Sequence, residues 1–516
     1  MKFSPTEEQE KALQLFKKGD TLKIDAYAGA GKTTTLIYLA QSQTGRGHYL
    51  AFNKSIADDA RNQFPETVRC TTTHSLAYGF IKRKYGYSDD KLTGRANASL
   101  IGEVLQLPAI SHPDSTKKLT LSDRSYGAIL RTACNRFLYS SDLEPLSKHF
   151  PRCGKLAGLN DAEFNAFTQE ALPKLRKLWA DMRDSSRSVP LGHDGYLKLW
   201  ALSSPKISAE YIMLDEAQDS NPALLGVLAD QKSQVIYVGD PYQQIYEWRG
   251  AINAMNQVHA PHRTSLTQAF RFGPSIANAA FKVIASLGAS EPIRGNPEIQ
   301  SEICSVYPQA ILCRTNAGVF SRLISHLSNN DKCYILGGTA GLERFLEDVQ
   351  RLKNGHTGHL PEFFGFANWA EIVDFTELPE GEELRSWVNL VSEHGEARLL
   401  SALRQCQGAD EGASVIISTT HKAKGKQWKT VTVDSDFEFF YTRWTTFDDQ
   451  SSFDREIFEA EARVLYVAMT RARKAVELPP AIMAYFGLQK TRRGKIHPSE
   501  KHTGLWQLIK SIFRGK

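Results

Sequence analysis

A lysine–threonine pair and a pair of adjacent carboxylates, far apart in the chain, have the side chains that phosphoryl chemistry requires. Lys32 and Thr33 follow a glycine-rich segment, and Asp215 and Glu216 follow a short apolar run. A lysine neutralises the β- and γ-phosphates of a nucleotide, a threonine hydroxyl and an aspartate ligate Mg²⁺, and a glutamate deprotonates an attacking water. The four side chains predict nucleotide hydrolysis, provided that the fold brings them together.

Residues 22–36 predict a strand, a phosphate-binding loop and a helix in succession. A short apolar run is interrupted by Gly29 and Gly31, and a helical segment begins at Lys32. Glycines let backbone N–H groups face one anion at the positive end of a helix dipole. Because Ala26 replaces the first glycine of the strict motif, a glycine-rich turn with a solvated lysine is the alternative. The predicted nucleotide contacts in this loop are Ala28, Gly29, Ala30, Gly31, Lys32, Thr33 and Thr34.

Three later side chains are candidates to contact the γ-phosphate. Gln243 follows a predicted strand at 234–238, Arg271 follows Phe270, and Arg471 lies near the C-terminal end of a predicted amphipathic helix. An arginine that reaches across a cleft stabilises the charge that develops during phosphoryl transfer. Complementation of the helix dipole is the alternative role for Arg471.

Gln9 and Phe270 are the candidates for the nucleobase. Gln9 lies near the start of a helix predicted over residues 3–19, with a cap predicted at Ser4-Pro5. Its carboxamide can pair with both edges of an adenine, whereas a solvated glutamine is the simpler interpretation. The aromatic ring of Phe270 can stack on the same base.

The elements around these residues predict an α/β protein with two parallel sheets. Apolar runs at 47–52, 67–72, 211–214 and 234–238 continue the first sheet, and a second unit has strand patterns at 310–314, 332–336, 414–418, 430–434 and 475–478. Ligands bind at the carboxyl ends of such strands. Helical patterns, including 126–137 and 161–182, dominate a first insertion, where the His193-Asp194 pair is interpreted as positioning or capping.

The chain is predicted to contain two interrupted domains, and its 516 residues suffice for about three to four folding units. The segments 1–83 and 207–275 form the first sheet domain, with a helical insertion at 84–206. The segments 276–339 and 413–488 form the second, with a small insertion at 340–412. Residues 489–516 form a basic tail.

Composition and charge exclude several protein classes. The hydrophobic fraction is 41% and the charged fraction is 23%, which are ordinary values for a globular protein. No apolar run approaches the ~20 residues that span a bilayer, and the first residues lack the apolar centre of a signal peptide. The seven cysteines are scattered, without a Cys-x-x-Cys pair. We therefore expect a reduced intracellular protein, cytoplasmic or nucleoid-associated, with no membrane partner and no structural zinc site.

The basic tail holds the excess positive charge of the chain. Residues 489–516 contain eight lysines and arginines and one acid, while the net charge of the whole chain is +6. The remainder is therefore nearly neutral. The tail predicts either salt-sensitive DNA binding or, through the amphipathic segment 505–513, docking of a protein partner.

The ordered motifs resemble those of superfamily 1 helicases of the UvrD/Rep type. Within that superfamily the chain resembles the F-box DNA helicase group most closely, although no F-box is recognised in the sequence. The motifs that carry the resemblance are residues 26–33, 72–78, 214–219, 239–251, 268–271, 419–425 and 466–473, with His193 to Tyr196 in addition.

The resemblance implies an ATP- and Mg²⁺-dependent enzyme that moves 3′→5′ on single-stranded DNA and acts at single-strand/duplex junctions in DNA repair or recombination. Its fold would be two RecA-like domains, each with an insertion. Lys32, Glu216, Gln243, Arg271 and Arg471 would be catalytic, and Thr33 and Asp215 would hold the metal. The side chains implied along the DNA path are Phe52, Asn53, Thr73, His74, Tyr246, Trp248, Arg249, Thr419 and His421.

Two departures and two alternatives accompany this hypothesis. Gln427 stands where the family has a glutamate that contacts ribose, so a neutral amide would make that contact, and the second insertion is small. The same motor would alternatively remove proteins from single-stranded DNA or serve a partner nuclease. A non-enzymatic nucleotide-gated switch is disfavoured, because a binding protein does not need the complete hydrolytic set.

Overall fold

The computed structural model describes residues 4–108, 110–111, 120–245, 254–376, 382–438, 441–442 and 452–491. Two sheets dominate this part of the chain. In chain order the strands are β1 Leu22–Ala26, β2 Gly47–Ala51, β3 Val68–Thr72, β4 Ile110–Ser111, β5 Thr120–Leu121, β6 Tyr211–Leu214, β7 Gln234–Gly239, β8 His262–Leu266, β9 Glu302–Ile303, β10 Ala310–Cys313, β11 Cys333–Ile335, β12 Val415–Thr419, β13 Trp428–Val433 and β14 Ala472–Glu477.

The α-helices surround the two sheets and form both insertions. In chain order they are α1 Glu7–Phe16, α2 Lys32–Gln41, α3 Lys54–Arg61, α4 Thr73–Tyr85, α5 Asp89–Thr93, α6 Ala98–Leu105, α7 Asp123–Tyr139, α8 Asp161–Arg183, α9 Gly192–Leu202, α10 Pro222–Ala229, α11 Ala254–Gln257, α12 Pro274–Ala285, α13 Asn316–Ser328, α14 Ala340–Lys353, α15 Trp369–Phe375, α16 Glu382–His394, α17 Glu396–Arg404, α18 Thr420–Ala423, α19 Ser452–Met469 and α20 Pro480–Tyr485.

Both large sheets have six strands, and every strand pair in them is parallel. The first sheet has the order β3-β2-β6-β7-β1-β8 and the second the order β11-β12-β10-β13-β14-β9. All residues of β1, β2, β6 and β10 are buried, as expected for parallel strands covered by helices on both faces. The predicted α/β class with two parallel sheets is confirmed.

The loop after β1 lies at the carboxyl edge of the first sheet, beside the ends of β6 and β7. Since β1 is flanked by β7 and β8 and β6 is the next strand beyond β7, the glycine-rich loop and the Asp215-Glu216 pair are brought to one edge. The strands β8 and β9 were not predicted, because the former reads as a polar segment and the latter has only two residues.

The cap of the first helix differs from the prediction. Thr6, rather than Ser4-Pro5, caps α1: its hydroxyl accepts a hydrogen bond from the Gln9 backbone N–H at 3.3 Å. The Gln9 side-chain oxygen in turn accepts one from the Thr6 backbone N–H at 3.0 Å. This reciprocal capping box fixes the glutamine close to the phosphate loop.

The segment between β3 and β6 is mostly helical, with one short antiparallel pair, β4–β5. The helices α7 and α8 include the predicted spans 126–137 and 161–182. This segment also contacts α15 and the loop before it: the Lys155 N–H donates to the Phe364 carbonyl in the loop at 2.9 Å, and the Lys155 ammonium pairs with Glu371 of α15 at 2.9 Å. We call the contacts between residues 122–158 and 356–371 the insertion junction.

Candidate nucleotide site at the edge of two sheets

The phosphate loop is held in shape by elements from both halves of the molecule. Gly29 and Gly31 each have a φ of 74°, in the left-handed region that glycine adopts readily. The Phe270 N–H donates to the Gly29 carbonyl at 2.8 Å, and the Ala28 N–H donates to the Tyr466 hydroxyl at 2.9 Å. A side chain at Gly29 would lie 2.8 Å from the Arg271 Cβ. The loop therefore has both the backbone conformation and the close packing that require glycine.

The predicted metal ligands and the predicted general base converge beside this loop. The Thr33 hydroxyl donates to Asp215 Oδ2 at 3.0 Å, and the Tyr49 hydroxyl donates to the same oxygen at 2.8 Å. The Lys32 ammonium lies 3.5 Å from a Glu216 carboxylate oxygen. Glu216 has a φ of 52°, which is rare for a residue other than glycine, asparagine or aspartate. This turn places the Glu216 carboxylate beside the Lys32 ammonium.

The two adjacent carboxylates have opposite pKa shifts. Burial, reinforced by the negative charge of Glu216, raises the pKa of Asp215. Burial acts in the same direction on Glu216, but the positive charges of Lys32 and Lys424 outweigh it and lower the pKa of Glu216 below its usual range. Glu216 is therefore the carboxylate held ionised, which is the state of a residue that orients and deprotonates water.

A glutamine and two arginines meet between the two sheets: Gln243 and Arg271 follow β7 and β8 of the first sheet, and Arg471 precedes β14 of the second. An Arg471 guanidinium N–H donates to Gln243 Oε1 at 3.1 Å, and Arg271 donates to the Thr470 carbonyl at 3.2 Å. Arg471 is only 1% exposed. Burial, together with the neighbouring charge of Arg271, lowers the pKa of Arg471 to about 9. Two guanidinium groups that repel each other in a buried cleft favour an anion between them.

The ion pair between Lys424 and Asp219 was missed by the sequence analysis. The Lys424 ammonium contacts the two Asp219 carboxylate oxygens at 2.7 and 2.6 Å, and it also donates to the Gln243 carbonyl. Lys424 follows β12 of the second sheet and Asp219 follows β6 of the first. The two residues are 205 positions apart in the chain, and Asp219 stands just before α10, so no local pattern pairs them. The structure places the cap of α10 at Asn221.

Two glutamine–aspartate contacts extend the hydrolytic centre, and they too were missed. Gln218 donates to a Glu216 carboxylate oxygen at 2.6 Å and accepts from the Asp240 N–H at 3.0 Å. Gln243 donates to Asp240 Oδ2 at 2.6 Å. A hint was available in the sequence, since both Gln218 and Asp240 stand at strand ends next to predicted site residues. The bond between Gln218 and Asp240, however, joins the ends of two different strands, β6 and β7.

The predicted nucleobase contacts, Gln9 and Phe270, lie close to Gly31 of the phosphate loop. The Gln9 amide donates to the Thr35 hydroxyl at 3.0 Å. A side chain at Gly31 would contact the Phe270 ring at 3.5 Å and the Gln9 amide nitrogen at 3.8 Å. Phe270 is 47% exposed although it is a large aromatic residue. Thr34 and Gln427 are exposed, the latter in the turn between α18 and β13.

The predicted DNA contacts that the structure describes lie at the carboxyl ends of strands from both sheets. Phe52 and Asn53 follow β2, Thr73 and His74 follow β3, and Thr419 ends β12 with His421 just beyond it. Phe52 is 49% exposed. Burial, with the charges of Arg314 and Lys424, lowers the pKa of His421 to about 4, so the imidazole is neutral at pH 7. Tyr246, Trp248 and Arg249 lie outside the described residues, as does most of the basic tail.

The motif residue Asp194 contacts one of these predicted DNA contacts. Its carboxylate accepts a hydrogen bond from the Tyr139 hydroxyl at 2.9 Å and lies 3.4 Å from the His74 ring nitrogen. Burial alone would raise the pKa of Asp194, but the hydrogen bonds from His74 and Tyr139 lower it. The ionised carboxylate can thus orient the His74 imidazole.

The residues present fit a nucleotide with a divalent cation. The glycine conformations leave a cradle that a side chain would fill, and the Thr33 hydroxyl and Asp215 carboxylate offer the hard oxygen ligands that Mg²⁺ prefers. Lys32 supplies the positive charge for phosphates.

Comparison with known proteins finds similarity to DNA helicases. A family model for the UvrD/REP helicase N-terminal domain matches residues 196–261, and one for the UvrD-like helicase C-terminal domain matches residues 356–478. The F-box DNA helicase protein 1 of Schizosaccharomyces pombe is 29% identical over 513 residues, covering 91% of this chain and 57% of that protein. The F-box DNA helicase 1 of Gallus gallus is 30% identical over 505 residues, covering 91% of this chain and 48% of that protein.

The chain contains UvrD-like helicase N- and C-terminal domains. A probable DNA helicase of Mycoplasma pneumoniae is a more distant relative, 23% identical over 291 residues. This UvrD-like chain spans about half the length of the F-box DNA helicases that it matches. The predicted resemblance is confirmed. Within the described residues, the helices are all too short or too polar to cross a membrane.

Proposed function

We propose that this chain is an ATP-dependent translocase and helicase on single-stranded DNA, with 3′→5′ movement. The observation that carries the proposal is the composition of the cleft. Lys32, Thr33, Asp215 and Glu216 come from the first sheet, and Arg471 reaches Gln243 from the second. A site that merely binds a nucleotide does not need an ionised glutamate, a metal-ligand pair and arginines at once.

Each side chain of the cleft has a distinct task in this proposal. Lys32 and the loop N–H groups bind the phosphates, and Thr33 and Asp215 would hold Mg²⁺, which would neutralise phosphate charge when bound. Glu216 orients and deprotonates the attacking water. Arg271 and Arg471 stabilise the negative charge that develops in the transition state, and Gln243 relays the position of Arg471 to the first sheet.

The positions of the proposed DNA contacts suggest how ATP hydrolysis is coupled to movement along DNA. Phe52, Asn53, Thr73 and His74 belong to the first sheet, whereas Thr419 and His421 belong to the second. Closure of the cleft around a nucleotide would therefore change the spacing between two sets of DNA contacts. If the two sets of contacts bind the DNA alternately, the single-stranded DNA moves relative to the protein. Tyr246 and Trp248 remain the predicted base-stacking residues.

A second candidate function is removal of proteins from single-stranded DNA by the same motor, or service as the motor of a partner nuclease. The similarity to F-box DNA helicases over 91% of the chain motivates it. A strand-displacement assay run beside an assay that measures clearance of a protein filament from single-stranded DNA distinguishes the two uses. Clearance without displacement would favour the second.

The test of the proposed function is ATP hydrolysis and strand displacement on substrates with 3′ or 5′ single-stranded tails. We expect hydrolysis to be stimulated by single-stranded DNA and displacement to require the 3′ tail. Lys32→Ala should abolish both activities while DNA binding is retained. Wild-type turnover in Lys32→Ala, or no stimulation by DNA in the wild type, would contradict the proposal.

A further inference from the structure

A tyrosine of the second half of the cleft contacts the phosphate loop directly. The Tyr466 hydroxyl, on α19, accepts a hydrogen bond from the Ala28 N–H at 2.9 Å and donates one to Asp240 Oδ2 at 3.0 Å. Ala28 belongs to the loop after β1, and Asp240 follows β7. Both partners thus lie on the first sheet, whereas the tyrosine packs against the second.

Because this contact is buried, breaking it has a large free-energy cost. Tyr466 and Asp240 are both 0% exposed. A phenol hydroxyl and a carboxylate that lose their partners away from water each cost free energy, as does a buried backbone N–H. Burial, with the charge of Asp240, raises the pKa of Tyr466 well above its usual value, so the hydroxyl keeps its proton and remains a donor.

The same helix end also carries the arginine of the cleft. The Arg471 Nε donates to the Val467 carbonyl at 3.0 Å, and the Thr470 hydroxyl donates to the Tyr466 carbonyl at 2.7 Å. These bonds hold residues 466–471 together, so that they move as one rigid segment. A displacement of that segment moves the tyrosine off Ala28 and the arginine off Gln243 together.

Asp240 connects the tyrosine to the remainder of the centre. Its Oδ2 accepts from Gln243 at 2.6 Å, and its N–H donates to Gln218, which contacts Glu216. A continuous set of hydrogen bonds therefore joins the phosphate loop, the general base and the arginine through one hydroxyl and one carboxylate.

We propose that Tyr466 is a positioning residue that couples the shape of the phosphate loop to the relative arrangement of the two sheets, with Asp240 as its partner. The hydroxyl makes both bonds only in the arrangement that also places Arg471 beside Gln243. When the halves separate, the Ala28 N–H and the Asp240 carboxylate lose a partner. The coupling rests on the proposed ATPase function.

The test is Tyr466→Phe, which removes the hydroxyl and keeps the ring. We expect the DNA-stimulated kcat to fall about 10- to 100-fold, the loss that corresponds to a hydrogen bond with a buried charged group. Tyr126→Phe is the matched control, because the Tyr126 ring is also 0% exposed and its hydroxyl has no hydrogen-bond partner among the described residues. It should leave kcat unchanged.

A double-mutant cycle separates positioning from simple stabilisation. Asp240→Ala removes the acceptor and Tyr466→Phe removes the donor of the same hydrogen bond, so their effects on kcat should be strongly non-additive. Additive effects, or a wild-type kcat in Tyr466→Phe, would overturn the inference. A loss of kcat in Tyr126→Phe equal to that in Tyr466→Phe would overturn it as well.

A readout without hydrolysis distinguishes this inference from the proposed function. A non-hydrolysable ATP analogue should raise the thermal midpoint of the wild type and of Tyr126→Phe by a similar amount, and that of Tyr466→Phe by less. If the wild type lacks DNA-stimulated hydrolysis but Tyr466→Phe selectively loses the midpoint shift, the proposed function fails and the coupling stands. Equal shifts in all three proteins would overturn the coupling.

Discussion

Two of the places where the halves of this molecule meet, the cleft and the insertion junction, are built from different contacts. At the cleft, charged and strongly polar side chains face each other, as in the Lys424–Asp219 pair and the Arg471–Gln243 bond. At the insertion junction, the buried side chain of Phe364 and the backbone bond from Lys155 to the Phe364 carbonyl dominate. Side-chain charges respond to the charge of a ligand, whereas backbone and apolar contacts do not. We therefore expect the cleft to change when a nucleotide binds and the insertion junction to stay fixed.

The largest expected effect is at the cleft. Arg471→Ala should lower the DNA-stimulated kcat by about 10³-fold, the lower end of the range for an arginine that stabilises phosphoryl transfer. Arg473→Ala is the control, since Arg473 lies two residues further along and is exposed. Steady-state ATPase assays check this prediction. Similar losses in the two variants would show that the arginine acts only through local charge.

The ion pair across the cleft should affect stability as well as activity. Lys424→Met leaves the buried Asp219 carboxylate without its partner, and breaking a buried pair in this way costs about 3–5 kcal/mol. We expect a lower thermal midpoint and a lower DNA-stimulated kcat. Adding Asp219→Leu to Lys424→Met should recover most of the midpoint but not the kcat. Recovery of both would show that the pair has no role in coupling.

The insertion junction should affect stability alone. Gly154 has a φ of 55°, and a side chain there would lie 2.7 Å from the Phe364 carbonyl oxygen. Gly154→Ala should therefore cost about 1–3 kcal/mol. Gly86→Ala is the matched control, because Gly86 has a φ of 66° and open space around it. Chemical denaturation measures the difference between them, and ATPase assays should give a wild-type kcat for both.

A fall in kcat for Gly154→Ala alone would contradict the comparison. It would show that the insertion junction, like the cleft, responds to nucleotide or DNA.

The smallest effect is expected for the charged pair at the insertion junction. Lys155 and Glu371 are partly exposed and lie 2.9 Å apart, and such pairs contribute about 0–1 kcal/mol. Glu371→Gln should therefore change the free energy of unfolding by less than about 1 kcal/mol. A loss as large as that of Lys424→Met would remove the distinction between the two regions.

The sequence was most informative where function depends on local order. The predicted strand at 310–314 corresponds to β10, and a glycine-rich loop between a strand and a helix is recognisable without knowing its neighbours. The family and the two-sheet fold could be predicted for this reason. Gln218, Asp240 and Tyr466 could not be singled out. Their roles depend on partners placed by the strand order, which in the case of Tyr466 and Ala28 are 438 residues apart in the chain.

The most direct measurement of the central claim is ATP hydrolysis by the wild type and by Glu216→Gln, with and without single-stranded DNA. Because Glu216 is held ionised between Lys32 and Gln218, its amide variant should bind nucleotide and DNA but lose about 10²- to 10⁴-fold in DNA-stimulated kcat. Retention of wild-type turnover by Glu216→Gln would contradict the assignment of this cleft as a DNA-dependent ATPase centre.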